Sequence, residues 1–141
     1  MKRNASAVWT GDLKGGKGSL TADSGVLKDT PYSFTTRFGD AKGTNPEELI
    51  AAAHAGCFTM ATAASLGKAG FTPDKLSTTA ALTLEQVDGN WTITTINLVM
   101  TAKIPNITPE KFAEIAADAK ANCPVSRVLK ANITLDAKLE S

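Results

Sequence analysis

The stretch from Leu49 to Gly67 contains no formally charged side chain, except His54 if it is protonated. A strong helix start precedes it, because Asn45 can cap, Pro46 suits the first helical position and two glutamates favour the positive dipole end. The stretch is long enough to span a bilayer, but small residues dominate it and large apolar ones are few. Small residues let another backbone approach closely, so we predict a buried central helix over residues 46–68.

A helix that is apolar on every face has to be covered on every face. The chain has 141 residues, and the remainder offers few elements that could do this. A second copy of the chain is the simplest cover, so we predict a homodimer in which the two long helices pack together.

Two segments before this helix have ambiguous patterns. Residues 11–19 nearly spell a phosphate-binding P-loop, but Gly18 stands where Ser or Thr must follow the lysine. A glycine-rich turn between two strands is the better interpretation. Residues 32–38 alternate, which predicts a strand with an aromatic face and with Arg37 pointing away from it. Alone, such an arginine would be interpreted as solvated.

The C-terminal half predicts a β-hairpin, a helix and a strand. Residues 75–87 and 91–104 are rich in β-forming side chains and flank an Asp-Gly-Asn turn. A helix should begin at residues 108–110 and end near Asn122, and residues 131–139 alternate as a final strand. The fold class is therefore α+β with mostly antiparallel sheet, in a single domain over residues 1–141.

Composition excludes some classes of function. Fifteen Lys and Arg against 14 Asp and Glu leave a formal net charge of +1, which gives no reason to expect nucleic acid or a membrane as partner. The first residues lack the apolar run of a signal peptide, so we expect a cytoplasmic protein. In that compartment two cysteines are reduced or redox-active more often than structurally bridged.

Cys57 lies near the middle of the predicted central helix. Burial there raises the pKa of a thiol, so Cys57 is inert unless a cation lies nearby. A guanidinium about 4 Å away would contribute about 4 kcal/mol at an effective dielectric near 20, or about three pKa units before desolvation. One well-placed arginine therefore decides whether Cys57 is a nucleophile.

Cys123 precedes Pro124, and a residue before proline avoids helical geometry. We therefore predict that Cys123 caps a short helix that begins at Pro124, where unpaired amides favour the thiolate. The two cysteines could meet in the fold and form a disulfide, or be two unrelated buried residues. These considerations leave both possibilities open.

Four segments in order give the chain a resemblance to the OsmC/Ohr family of osmotically inducible and organic hydroperoxide resistance proteins. They are residues 8–12 (VWTGD), 42–50 (KGTNPEELI), 52–58 (AAHAGCF) and 123–135, which begins CPVS and ends ITL. The resemblance runs from about residue 5 to residue 139. It implies an intertwined homodimer with long central helices and a thiol-dependent peroxidase active on organic hydroperoxides and hydrogen peroxide.

The resemblance also implies residue roles. Cys57 would be the peroxidatic thiol, Cys123 the resolving thiol, and Arg37 and Glu47 the polar pair that activates the site. It implies no bound cofactor, but an external dithiol of the dihydrolipoyl type, on a lipoylated protein or a small molecule, as reductant. His54 and the two glutamates after Asn-Pro favour the OsmC branch over the Ohr branch, which usually has tyrosine at the histidine position.

Helix geometry adds a hypothesis about the site. Glu47 and Cys57 are ten residues apart, about 15 Å along one helix axis. An arginine held by Glu47 could hardly also touch Cys57 of the same straight helix. We therefore predict that each site draws on both chains.

Two other functions remain as alternatives. His54 shares a helix face with Cys57, so a Cys–His acyl hydrolase is conceivable, although a core or pocket-wall histidine is the better interpretation. The other alternative is a non-catalytic, redox-sensing dimer in which Cys57 oxidises once and is not rapidly regenerated.

Overall fold

The computed structural model describes residues 1–141. The chain divides into two compact units, Met1–Leu49 and Ile50–Ser141. The expectation of one domain over the whole chain remains a prediction.

The first unit contains a three-stranded antiparallel sheet. Its strands, in spatial order, are β1 (Ala5–Thr10), β2 (Lys17–Ala22) and β3 (Thr30–Tyr32). The P-loop-like segment is the turn between β1 and β2, as predicted. Gly18 is required in β2, since a Cβ there would lie 2.5 Å from the ring of Tyr32 and 2.6 Å from that of Trp9.

The predicted strand over residues 32–38 is wrong after Tyr32. Helix α1 (Phe34–Phe38) begins there because Ser33 forms a capping box with Thr36. The Thr36 N–H donates to Ser33 Oγ at 3.3 Å, and the Ser33 N–H donates to Thr36 Oγ1 at 2.9 Å. Arg37 consequently lies against an aromatic ring instead of away from it, with Cζ 5.1 Å from the centroid of Phe38.

The long central helix forms where it is predicted. Helix α2 (Pro46–Lys68) is capped by Asn45, whose Oδ1 accepts from the Glu48 N–H at 2.8 Å. It is long and apolar enough to cross a membrane by length and composition, a test that the core helix of a soluble protein also passes. Its buried residues form a single stripe with a spacing of four: His54, Phe58, Thr62 and Leu66. The rest of its low-polarity surface is partly or fully exposed, including Met60 at 76%.

The second unit is built on a mixed sheet. The hairpin of β4 (Lys75–Val87) and β5 (Asn90–Lys103) is confirmed, and β6 (Asn132–Glu140) pairs with β5 in parallel. Helices α3 (Pro109–Asn122) and α4 (Pro124–Val128) make the crossover between these two strands. The α+β class and the mostly antiparallel pairing are therefore as predicted, with one parallel pair. The core includes Phe58 and Leu66 of α2, alternate residues of β5, and Cys123.

Candidate active site

The structure brings the two cysteines, 66 positions apart in sequence, together in the second unit. Both are free thiols, and each belongs to the same apolar cluster, Cys123 within it and Cys57 at its edge. Cys123 is 1% exposed, whereas Cys57 is partly buried. The sequence left open whether the two cysteines meet or are unrelated buried residues. In the structure they are neighbours, and both are free thiols.

Helix α4 positions both sulfur atoms. Cys123 is its N-cap, as predicted, and Cys123 Sγ accepts from the Ser126 N–H at 3.4 Å. The N–H of Val125, one residue earlier, donates to the sulfur of Cys57. Two adjacent amides of one short turn thus face the two thiols.

The surroundings of Cys57 keep it protonated. Burial raises the pKa of the Cys57 thiol above its ordinary value, and the hydrogen bond from the Val125 N–H opposes this. Cys123 raises the pKa of Cys57 further, both as hydrogen-bond partner and as a neighbouring charge. The groups that shift the pKa of Cys57 include no cation.

His54 is fully buried and does not pair with Cys57. Its Nε2 lies 2.8 Å from Ser126 Oγ, which in turn lies 3.1 Å from Cys123 Sγ. Its Nδ1 is buried without a hydrogen-bond partner. Burial lowers the pKa of His54, so the imidazole is neutral at neutral pH. The pairing expected for a Cys57–His54 hydrolase is therefore not formed.

Arg37 and Glu47 form a close ion pair in the first unit. Arg37 donates from Nη2 to Glu47 Oε1 at 2.6 Å and from Nε to Oε1 and Oε2 at 3.0 and 3.1 Å. Glu47 sits in the first turn of α2, and its side chain is 12% exposed against 36% for Arg37. This two-point contact fixes the plane of the guanidinium and does not use Nη1.

A cavity of about 260 Å³ opens beside Arg37 in the first unit. Its lining is mainly aromatic and apolar, and consists of Trp9, Leu13, Tyr32, Ser33, Phe34, Arg37 and Phe38. Trp9 and Tyr32 meet edge to face with ring centroids 5.5 Å apart. The cavity therefore presents a guanidinium at the wall of an apolar space.

Two contributors to the site were missed by sequence reasoning. The role of Ser126 could have been found, because a helix N-cap side chain accepts from the amide two or three residues later. The Val125 amide could not, because its partner Cys57 is on a different helix. No group of three or more His, Cys, Asp and Glu residues is placed to hold a metal ion.

In this α+β fold, a free thiol in the middle of one helix lies beside a free thiol at the N-cap of another. This arrangement is that of a thiol protein with a pair of cysteines. The model of the OsmC family, described as OsmC-like protein, matches residues 39–138. The chain belongs to this family.

Curated relatives agree with the family. The chain is 52% identical over 141 residues to the peroxiredoxin OsmC of Escherichia coli, covering 100% of this chain and 99% of the relative. It is 31% identical over 129 residues to the organic hydroperoxide resistance protein OhrB of Bacillus subtilis, covering 90% and 91%. The higher identity to the OsmC relative agrees with the branch that the sequence favoured.

Solved structures agree with the fold. An OsmC-like protein of unknown function from Vibrio cholerae superimposes with a TM-score of 0.79 at 13% identity, over 97% of this chain and 99% of that one. An OsmC-like protein from Mycoplasma pneumoniae gives 0.76 at 18% identity, over 100% and 99%.

Proposed function

We propose that this protein is a thiol-dependent peroxidase that reduces organic hydroperoxides and hydrogen peroxide, with Cys57 as the peroxidatic and Cys123 as the resolving thiol. The observation that carries the proposal is the meeting of these two free cysteines. The relatives named peroxiredoxin OsmC and organic hydroperoxide resistance protein support the activity.

The chemistry proceeds in three steps. The Cys57 thiolate attacks the distal peroxide oxygen, the O–O bond breaks, and the alkoxide takes a proton and leaves as alcohol, or as water from hydrogen peroxide. Cys57 is thereby oxidised by two electrons to a sulfenic acid. The Cys123 thiolate then attacks that sulfur, forming the disulfide and expelling hydroxide, which is protonated to water. An external dithiol reduces the disulfide by exchange.

Arg37 supplies the cation that Cys57 needs. Its guanidinium stabilises the thiolate and donates a hydrogen bond to the peroxide oxygen on which charge develops. Glu47 holds two of its nitrogen atoms, which leaves Nη1 to face the reactants.

The site is shared between two copies of the chain in a homodimer. Glu47 and Cys57 lie on the same continuous helix α2, about 15 Å apart along its axis, so the guanidinium that Glu47 holds serves a thiol of the other chain. The low-polarity surface of α2 outside its buried stripe is where the second copy packs. This assembly also supplies the cation missing from the surroundings of Cys57.

The remaining parts of the proposal concern the substrate, the reductant and the compartment. The apolar cavity beside Arg37 suits the hydrocarbon part of an organic hydroperoxide, so such substrates are preferred to hydrogen peroxide. The reductant is a dihydrolipoyl-type dithiol, free or on a lipoylated protein, and no bound cofactor takes part. The protein works in the cytoplasm, where its disulfide can be reduced again.

A steady-state assay with cumene hydroperoxide and dihydrolipoamide tests the proposal. We expect many turnovers per site, loss of turnover in Cys57→Ser with the fold retained, and a single oxidation without recycling in Cys123→Ser. Consumption limited to one equivalent of peroxide per site would contradict a peroxidase and favour the redox-sensing alternative. A variant Cys57→Ser with undiminished turnover would remove Cys57 from the mechanism.

A further inference from the structure

Ser126 links the buried histidine to the resolving thiol. Its hydroxyl oxygen lies 2.8 Å from His54 Nε2 and 3.1 Å from Cys123 Sγ, so one hydroxyl bridges two groups that are 69 positions apart in sequence. The three residues come from α2, the N-cap of α4 and α4 itself. The roles given above to Cys57, Cys123, Arg37 and Glu47 make no use of His54 or of this hydroxyl.

The unpartnered atom of His54 fixes the direction of these hydrogen bonds. A neutral imidazole carries its hydrogen on one nitrogen only. Nδ1 is buried without a partner, and an orphaned buried N–H is the rarer and costlier kind of unsatisfied group. The hydrogen is therefore on Nε2, which donates to Ser126 Oγ, and the Ser126 hydroxyl hydrogen is left to point at Cys123 Sγ.

We infer that His54 is a positioning residue for the resolving step: it orients the Ser126 hydroxyl as a donor to Cys123 Sγ and so stabilises the thiolate that attacks the oxidised Cys57. The inference rests on the proposed function for the identity of that step. The attack forms the S–S bond and breaks the S–O bond of the sulfenic acid. The leaving hydroxide and the proton lost by Cys123 together make one water, so no further reagent is required.

The other ionisable groups near this chain of hydrogen bonds are otherwise engaged or exposed. Cys57 of α2 is the thiol that faces Cys123. On α3, Lys120 donates to the Ile133 carbonyl at 3.1 Å and Asp118 accepts from Asn122. Lys111 pairs with Glu114 at 3.5 Å, and Glu110 and Glu114 are exposed. Arg127 of α4 is exposed. Besides the Cys57 thiol, the local donors to Cys123 Sγ are thus the hydroxyl and the amide of Ser126.

The first measurement is the ionisation of Cys123, and it does not depend on peroxidase activity. In reduced protein carrying Cys57→Ser, the thiolate absorbance of Cys123 is followed against pH. We expect Ser126→Ala and His54→Leu each to lower the thiolate population about tenfold at a given pH below the midpoint of the absorbance change. Because His54 acts through Ser126, the double variant should lower the thiolate population no further than Ser126→Ala alone. His54→Gln keeps an N–H donor, so it should lower that population less than His54→Leu does.

The second measurement is the rate of disulfide formation in protein that retains both cysteines. After rapid mixing with one equivalent of cumene hydroperoxide, we expect Ser126→Ala and His54→Leu to slow loss of the Cys123 thiol about tenfold, and to slow it more than they slow the consumption of peroxide. The matched control is Thr62→Val, because Thr62 is a buried hydroxyl of α2 that donates to the Phe58 carbonyl at 2.9 Å. It should change neither measurement.

An unchanged or larger thiolate population of Cys123 in Ser126→Ala overturns the inference, and so does an effect of Ser126→Ala that His54→Leu does not share. Equal loss in Thr62→Val would also overturn it, by showing a general effect of core polarity. If peroxide does not react with Cys57 at all, the proposed function fails, and the titration still decides the role of His54 and Ser126.

Discussion

Glu47 and Glu48 are neighbours in the first turn of α2, yet only Glu47 engages the guanidinium. Glu48 instead accepts from the Thr44 hydroxyl at 3.1 Å. This gives an internal comparison of two carboxylates at the same helix end. We expect Glu47→Gln to lower the second-order rate constant for the reaction of Cys57 with cumene hydroperoxide about tenfold, because a neutral amide fixes the guanidinium less firmly.

The control for Glu47 is Glu48→Gln, which should leave that rate constant within about twofold. Stopped-flow oxidation of reduced protein measures both. Equal effects of the two substitutions would show that charge at the helix N-terminus matters, and not the contact with Arg37.

His54 also predicts how stability depends on pH. Burial lowers its folded-state pKa below the unfolded value of about 6.5, so the unfolded chain binds a proton first as the pH falls. The free energy of unfolding should therefore decrease from about pH 6.5 down to the folded-state pKa, with a slope of at most about 1.4 kcal/mol per pH unit from this group. Urea unfolding of the protein and of His54→Gln at a series of pH values checks this, and parallel curves for the two would contradict it.

At the scale of elements, α1 depends on its cap. The helix has five residues, and Ser33 satisfies one of its first amides. We expect Ser33→Ala to reduce the free energy of unfolding by about 1 kcal/mol. Ser6→Ala, on the exposed face of β1, is the matched control and should change it by less than about 0.5 kcal/mol. Similar losses in both variants would mean that the capping box contributes nothing specific.

The elements also show where sequence reasoning succeeds and where it stops. Helix α2 and the N-cap at Cys123 were predictable because caps and helix starts are local signals. Helix α1 was missed because Phe34 and Phe38, four residues apart, fit both a strand period of two and a helix period of 3.6. The parallel pairing of β6 with β5 was not predictable, since the residues of a strand do not by themselves specify which strand it pairs with.

The residues of the site also differ in how far the sequence could predict them. The roles of the two cysteines and of the Arg37–Glu47 pair came from a resemblance, because spacing and composition left open whether these side chains meet. The contact between His54 and Ser126 spans 72 positions and was not anticipated. Such contacts exist only once β5, α3 and α4 have folded against α2.

At the scale of the whole molecule, the proposed site needs residues from two chains. A mixed dimer of Cys57→Ser and Arg37→Met chains tests this directly, because each chain is defective in a different residue. If the site is shared, the mixed dimer has one complete site, made of Cys57 from one chain and Arg37 from the other. Turnover of cumene hydroperoxide with dihydrolipoamide, measured after coexpression, should then return to about a quarter of the parent's, since about half of the dimers are mixed and each has one working site of two.

The same assay on each variant alone should show little turnover, which fixes the background. Recovery to about a quarter of parental turnover in the coexpressed sample is the predicted result. Turnover in the coexpressed sample no higher than that background would contradict the central claim, by showing that Arg37 and Cys57 act within one chain.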